Sequence, residues 1–356
     1  AERLRAVLRE LGPGDNDPRI AAQVTIMQDF EPTRSEAFVE RLHTYAAGGD
    51  RYLAMAALLW LGFALENMGD PSGAMRAVED ALLRVDPGDG PWTRAILHTQ
   101  AGQLAMQLGR VDEAVLHVQQ ALPVLERLGA VDDALQLRSL MVLAAIWAGE
   151  LEEAEREIAG LNEVRDIDSV FGGQLIGYLG AAELALARDQ VETGLAFYRS
   201  AVARVRDFQF PGLELTGLEP WVLFGEAAAL AAHAHHAPHG DVFGAGLFDS
   251  VRGRVGGVLD PAYPYRDYPV CGVVFIGLGL WGLRTAALPE DEAIRLLVLA
   301  DGFAYNRSLP TLSWERAVAA ADERAPGVLA TIEAEYAGRR GPDLLEEARA
   351  VVASIA

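Results

Sequence analysis

Four of the seven histidines lie within one seven-residue stretch, and imidazole is a common metal ligand and general base. They are His233, His235, His236 and His239. On a helix, His235 and His239 would share a face at an i,i+4 spacing that binds zinc. The stretch contains no glutamate to act as a base, and it lies where an alanine-rich helix meets Pro238 and Gly240. We therefore predict helix-terminal imidazoles, partly cationic at the negative end of the helix dipole, and no metal centre.

Other groups that could perform chemistry lack the required pattern. The chain has no lysine, which removes P-loop and Schiff-base chemistry. Neither a Gly-x-Ser-x-Gly elbow nor a His-Glu-x-x-His motif occurs. The carboxylates at Glu152, Glu153, Glu155 and Glu157 are typical of a solvated helix face, and the single cysteine, Cys271, is expected to be a small buried apolar residue. The sequence predicts no catalytic residue, no metal ion and no cofactor.

Charge and hydropathy bound the partners and the compartment. The formal net charge is −21, which repels phosphate backbones and argues against direct nucleic-acid binding. The longest apolar run, residues 270–283, is shorter than a membrane span and carries four glycines. Five of the first eleven residues are charged, in a region where a signal peptide would need an apolar stretch. We expect a cytoplasmic protein that does not contact membranes.

A 40-residue internal repeat determines the predicted fold. Four columns keep this step: Ala74, Ala114, Ala154, Gly194; Val78, Val118, Ile158, Tyr198; Ala81, Ala121, Leu161, Ala201; and Gly62, Gly102, Val142, Ala182. In each repeat, apolar residues at helical spacing predict two helices, and a Gly-Asp type turn separates them. Stacked units of this length bury apolar faces against their neighbours and form an extended concave surface. The pattern predicts an all-α fold, a right-handed α-solenoid of helix hairpins.

The repeats divide the chain into three parts. Residues 1–50 are predicted to form irregular N-terminal helices, including one at residues 2–11. Residues 51–205 hold four regular repeats. Residues 206–356 are predicted to hold divergent repeats and terminal capping helices, with a proline- and tyrosine-rich loop at residues 260–269.

The repeat positions resemble the tetratricopeptide repeat. Its consensus has a small residue, a Gly-Asp turn and two alanines at fixed offsets, as at Gly62, Gly69-Asp70, Ala74 and Ala81. The second unit matches as well, whereas the third and fourth match in part. The usual unit has about 34 residues, so each repeat here carries about six more, in longer helices or connections.

This resemblance implies that the first helix of each hairpin lines the concave groove. Transferring the groove offsets of the family gives a set of partner-binding candidates: Leu59, Phe63, Asn67, Thr99, Gln103, Gln107, Ser139, Leu143, Trp147, Leu179 and Glu183. Apolar anchors mixed with neutral amides favour a peptide or protein segment as the partner. The carboxylate clamp of chaperone-type members needs groove lysines, so this clamp is excluded.

A second concentration of aromatic residues lies near the C-terminal third. It comprises Tyr263, Tyr265, Tyr268, Tyr305 and Arg307. The rings are interpreted first as a cover over an irregular repeat junction. The alternative is a second ligand or partner contact.

Several stretches are similar to the C-terminal region of AfsR/SARP-like bacterial transcriptional regulators. They are residues 17–23 (DPRIAAQ), 56–60 (AALLW), 66–70 (ENMGD), 266–270 (RDYPV) and 303–307 (FAYNR). In that family, winged-helix and NTPase modules precede tetratricopeptide repeats. The resemblance implies the sensor or autoinhibitory arm of a larger regulator, or a stand-alone relative.

Three functions follow as hypotheses. The first is a non-enzymatic module that binds a protein or peptide segment, including an NTPase or DNA-binding part of the same regulator. The second is a small-molecule receptor or an enzyme with a pocket near residues 233–307. The third is an oligomerisation scaffold.

Overall fold

The computed structural model describes residues 17–30, 35–163, 173–207, 216–260 and 266–355, and all regular structure in these ranges is helical. The first ten helices are α1 Pro18–Asp29, α2 Ser35–Ala46, α3 Arg51–Asn67, α4 Pro71–Arg84, α5 Pro91–Gln107, α6 Val111–Leu128, α7 Val131–Ala148, α8 Leu151–Glu163, α9 Gly173–Ala187 and α10 Val191–Asp207. The others are α11 Pro220–His236, α12 Val242–Val258, α13 Tyr268–Thr285, α14 Glu290–Gly302, α15 Trp314–Arg324, α16 Val328–Glu335 and α17 Leu345–Ile355. Short 3₁₀ turns occupy Pro87–Asp89, Pro310–Leu312 and Gly341–Leu344. The expected all-α class is confirmed over these ranges.

Local capping explains where many helices begin. The Asp50 carboxylate accepts the Tyr52 and Leu53 amides at 2.9 and 3.1 Å, and the Asp70 carboxylate accepts the Gly73 amide at 2.8 Å. Such bonds satisfy amides that have no partner inside the helix. Asp50 and Asp70 therefore start α3 and α4.

Consecutive helices pack in pairs. Helix α3 packs on α4, α5 on α6, α7 on α8 and α9 on α10, and the first helices of these four pairs also contact one another in order. The alanine columns lie in the interior, since Ala74, Ala81, Ala121 and Ala201 are fully buried. Small side chains at these positions allow helices to approach closely.

Helix α13 is almost entirely inside the core, with 15 of its 18 residues buried. A Cβ at Gly277 would lie 2.8 Å from Ala227 O on α11, and a Cβ at Gly279 would lie 2.8 Å from Ala293 O on α14. Glycines here permit backbone contact on both sides of α13. It is also the single described helix long and apolar enough to cross a membrane, but 83% of its apolar window is buried inside the protein.

The C-terminal helices return to the first hairpin. Helix α13 contacts α3, and α15, α16 and α17 pack on α12, α13 and α14. One apolar core runs from Ala22 to Ile355 and therefore includes residues of all three predicted parts. Helix α3 therefore contacts the C-terminal third of the same chain.

The C-cap of α13 gives a stability prediction. Ala286 is exposed and left-handed, with φ 54°, a conformation that suits glycine. We expect Ala286→Gly to raise the free energy of unfolding by about 0.5–1 kcal/mol. Gly149 caps α7 with φ 76° in open space, so Gly149→Ala should lower it by about 1 kcal/mol. Urea unfolding measures both, and changes of the same sign would contradict the strain argument.

Candidate functional site

A segment of the chain's own C-terminal third contacts α5, α7 and α9. We call residues 303–313 the strap. Phe303, Tyr305, Leu309 and Leu312 in it are at most 1% exposed. The Tyr305 hydroxyl donates to Leu312 O at 2.9 Å, which fixes the turn within the strap. These side chains belong to the main apolar core.

Three predicted groove residues hydrogen-bond the strap. Gln107 Nε2 donates to Ala304 O at 2.9 Å, and Trp147 Nε1 donates to Ser308 O at 2.8 Å. The Thr311 amide donates to Glu183 Oε1 at 3.3 Å. Two of the bonds go to backbone carbonyls and one comes from a backbone amide, so all three polar contacts are made to the main chain of the strap.

Glu183 is a buried anchor of this contact. It also accepts a hydrogen bond from the Tyr198 hydroxyl of α10. Burial raises the pKa of Glu183, while the bonds from Tyr198 and Thr311 oppose the rise. The carboxyl joins α9, α10 and the strap.

The remaining groove candidates are divided among other environments. Leu143 and Leu179 lie in the same apolar core as the strap anchors. The hydroxyls of Thr99 and Ser139 bond carbonyls of their own helices. Leu59 lines a separate apolar cavity of about 520 Å³ beside α1. Gln103 is half-buried, and Phe63 and Asn67 are exposed.

The residues of the predicted aromatic contact lie in different environments. Tyr263 and Tyr265 lie outside the described residues. Tyr268 is buried and packs edge-on against Phe303 with ring centroids 4.9 Å apart, so it is a core residue. Arg307 is half-buried, pairs with Asp301 and stacks on the Tyr305 ring at 4.6 Å.

A cavity of about 710 Å³ brings the two predicted regions together. Its wall includes Gln107 and Trp147 from the groove, and Tyr305 and Arg307 from the aromatic set. The other lining residues come from the α3–α4 and α5–α6 turns, the start of α15 and Arg340. Sequence reasoning missed Trp314, Glu315 and Arg340 because no repeat offset reaches them.

The histidine prediction needs a correction. Helix α11 does end at His236, as expected, but burial lowers the pKa values of His233, His235 and His236, that of His235 to about 3. Arg316 and Arg284 add to the lowering at His235 and His236. These imidazoles are neutral near pH 7, not partly cationic. No group of three or more metal-ligating side chains occurs in the described ranges.

The α3–α13 contact holds two carboxyl groups that the sequence did not indicate. Burial raises the pKa of Glu66 to about 8, and the nearby Asp267 adds to the rise. Burial also raises the pKa of Asp267 to about 6, although its hydrogen bond from the Val270 amide opposes this. Both groups are therefore more protonated in the folded protein than in the unfolded chain.

The free energy of unfolding should consequently fall as the pH rises. A carboxyl group whose pKa is higher in the folded state stabilises that state fully below its pKa in the unfolded chain, which is 4.5 for Glu66. This contribution to the free energy of unfolding is lost as the pH rises through the pKa of the folded state, near 8. The Glu66 side chain is half-buried, so solvent screens part of this effect. We expect the free energy of unfolding to fall by about 1–2 kcal/mol between pH 5 and pH 8, which is less than the pKa shift alone would give. Thermal unfolding of the wild type and Glu66→Gln across this range measures the loss. An equal slope in both proteins would contradict the assignment.

No protein-family model matches the chain, and no curated protein matches it. Its function is therefore inferred from its own residues.

Proposed function

We propose that the chain is a right-handed solenoid of tetratricopeptide-like hairpins. The 40-residue columns, their burial and the ordered contacts between first helices support this architecture. Helices α3, α5 and α7 have 17, 17 and 18 residues, which accounts for a period longer than about 34.

We further propose that this solenoid is a non-enzymatic module that binds an extended protein segment, with the strap as its internal occupant. The observation that carries the proposal is the set of bonds from Gln107, Trp147 and Glu183 to strap main-chain groups. Main-chain contacts of this type suit many sequences. The similarity to AfsR/SARP-like regulators favours a sensor or autoinhibitory arm, whose partner would be a segment of the NTPase or DNA-binding part.

The strap would make such binding conditional. Removing its four buried apolar anchors from the core costs about 6–12 kcal/mol at roughly 1.5–3 kcal/mol for each side chain. A tethered segment also competes at an effective concentration of about millimolar. A free peptide should therefore bind the groove weakly until the strap is loosened.

A peptide added in trans tests the proposal. The probe is a fluorescein-labelled peptide of residues 302–314, and the readout is fluorescence anisotropy. We expect no binding to the wild type up to about 100 μM and measurable binding to Leu309→Ala, whose strap lacks one anchor. Adding Gln107→Ala and Trp147→Ala to Leu309→Ala should weaken binding by about tenfold or more, because two hydrogen bonds are lost.

The control is Gln103→Ala in the Leu309→Ala background. Gln103 lies on α5 one turn before Gln107, and its side chain makes no hydrogen bond to the strap among the described residues, so peptide affinity should not change. Circular dichroism establishes that each variant is folded, and Tyr305→Ala is a second loosened strap. Failure of both folded variants to bind the peptide, or equal losses for Gln103→Ala and Gln107→Ala, would overturn the proposal.

A further inference from the structure

The 710 Å³ cavity beside the strap has the size of a small-molecule site. It lies where the α3–α4 and α5–α6 turns, the C-terminal end of α7, the strap and the start of α15 meet. The groove bonds to the strap use only part of the polar groups on its wall. The remaining groups define what the cavity could hold.

One buried acceptor on the wall has no partner. Gln107 is 4% exposed; its Nε2 bonds Ala304 O, but its Oε1 lacks any hydrogen-bond partner in the described structure. A buried amide oxygen without a partner costs about 1–3 kcal/mol. An N–H or O–H group of a bound molecule would satisfy it.

The wall also presents flat aromatic surface. Trp147 is 38% exposed, and its ring is held in place by the bond to Ser308 O. Trp314 is half-buried, with the Arg307 guanidinium 5.5 Å from its ring centroid. Rings fixed in this way offer planar groups a stacking surface without loss of rotamer freedom.

The charges on the wall separate into satisfied and free groups. Asp301 pairs with Arg307, and Asp70 caps α4. Arg340 and Glu315 are both exposed, and neither side chain has an ion pair or hydrogen bond within the described ranges. Among the described wall residues, Arg340 and Glu315 are exposed charged groups without a polar partner, and together they complement a ligand bearing both signs of charge.

We propose that this cavity binds a small zwitterionic molecule with a planar aromatic part, of the class of aromatic amino acids. The aromatic part would lie against Trp147 and Trp314, the carboxylate would face Arg340 and the ammonium would face Glu315. An N–H group of the ligand would donate to Gln107 Oε1. The site shares Gln107 and Trp147 with the bonds to the strap but uses other parts of them, Gln107 Oε1 and the face of the Trp147 ring, so it does not require the groove to take an external segment.

Four related probes test the ligand class on the full chain. L-tryptophan carries both an ammonium and a carboxylate, and indole carries neither. Tryptamine carries only the ammonium, and indole-3-propionate carries only the carboxylate. By isothermal titration calorimetry we expect tryptophan to bind at about 10–100 μM and at least tenfold more tightly than the other three. It should also raise the Tm by about 2 °C or more at about 1 mM.

Two variants assign the charged groups. Arg340→Ala should weaken tryptophan binding about tenfold and leave tryptamine unchanged, and Glu315→Ala should weaken tryptophan and leave indole-3-propionate unchanged. Glu323→Ala removes an exposed carboxylate from the same helix outside the cavity and should change nothing. No binding of tryptophan, binding no tighter than indole, or equal effects of Glu315→Ala and Glu323→Ala would overturn the proposal. The trans-peptide assay is independent of all these outcomes.

Discussion

Replacing Tyr305 by alanine is expected to lower the free energy of unfolding by about 3–5 kcal/mol, because it removes a fully buried ring from the centre of the molecule. The ring packs near Trp314 and Arg307, and its hydroxyl holds Leu312 O. Urea unfolding monitored by circular dichroism measures the loss.

Tyr305→Phe is the matched control for this substitution. It keeps the ring and removes only the hydrogen bond to Leu312 O, at a cost of about 1 kcal/mol. A loss below about 1 kcal/mol for Tyr305→Ala would mean that the strap is not packed as described.

The second large effect is expected at Glu226 on α11. This carboxylate is 1% exposed and lies between two arginines, with Arg206 Nε at 2.7 Å and Arg254 forming the other ion pair. Glu226→Ala would leave both guanidinium groups without their shared partner. We expect the free energy of unfolding to fall by about 2–4 kcal/mol. This is at the lower end of the cost of breaking a buried ion pair, because both arginines are partly exposed.

Two variants separate the lost charge from the lost side chain. Glu226→Gln keeps the shape and should be less destabilising than Glu226→Ala. Glu79→Ala removes an exposed carboxylate from α4 and should change the free energy of unfolding by less than about 0.5 kcal/mol. Similar losses for Glu226→Ala and Glu79→Ala would contradict the buried ion-pair network.

Much of the helical framework follows from local sequence pattern. The predicted turn at Gly69-Asp70 separates α3 from α4, and residues 51–205 hold the four packed helix pairs from α3 to α10. Helix α16 was missed. Its eight residues, VLATIEAE, are too few for a clear apolar period.

The occupant of the groove could not be predicted in the same way. Gln107 and Ala304 are 197 residues apart, and repeat periodicity reports only contacts between neighbouring units. A weak signal did exist in the strap. Residues 308–313 (SLPTLS) carry two leucines around a proline, which is typical of an extended apolar segment and not of a helix.

The histidine error has a related cause. The dipole argument used only α11, but α10, α12 and α13 all pack on that helix and remove its imidazoles from water. The groove residues and the aromatic residues are predicted as two separate sites for the same reason, because each set comes from its own stretch of sequence. Tertiary contact joins Trp147 and Arg307 at one cavity.

The central claim, that the strap fills the groove formed by the first helices, is tested most directly by photo-crosslinking. The photoreactive residue p-benzoylphenylalanine replaces Ser308, whose carbonyl accepts the Trp147 indole bond, and mass spectrometry maps the products. The same residue at Leu83, which is 85% exposed on α4, is the control. We expect crosslinks from position 308 to the C-terminal end of α7, and none there from position 83. Crosslinks from position 308 confined to α14 and α15 would contradict the account.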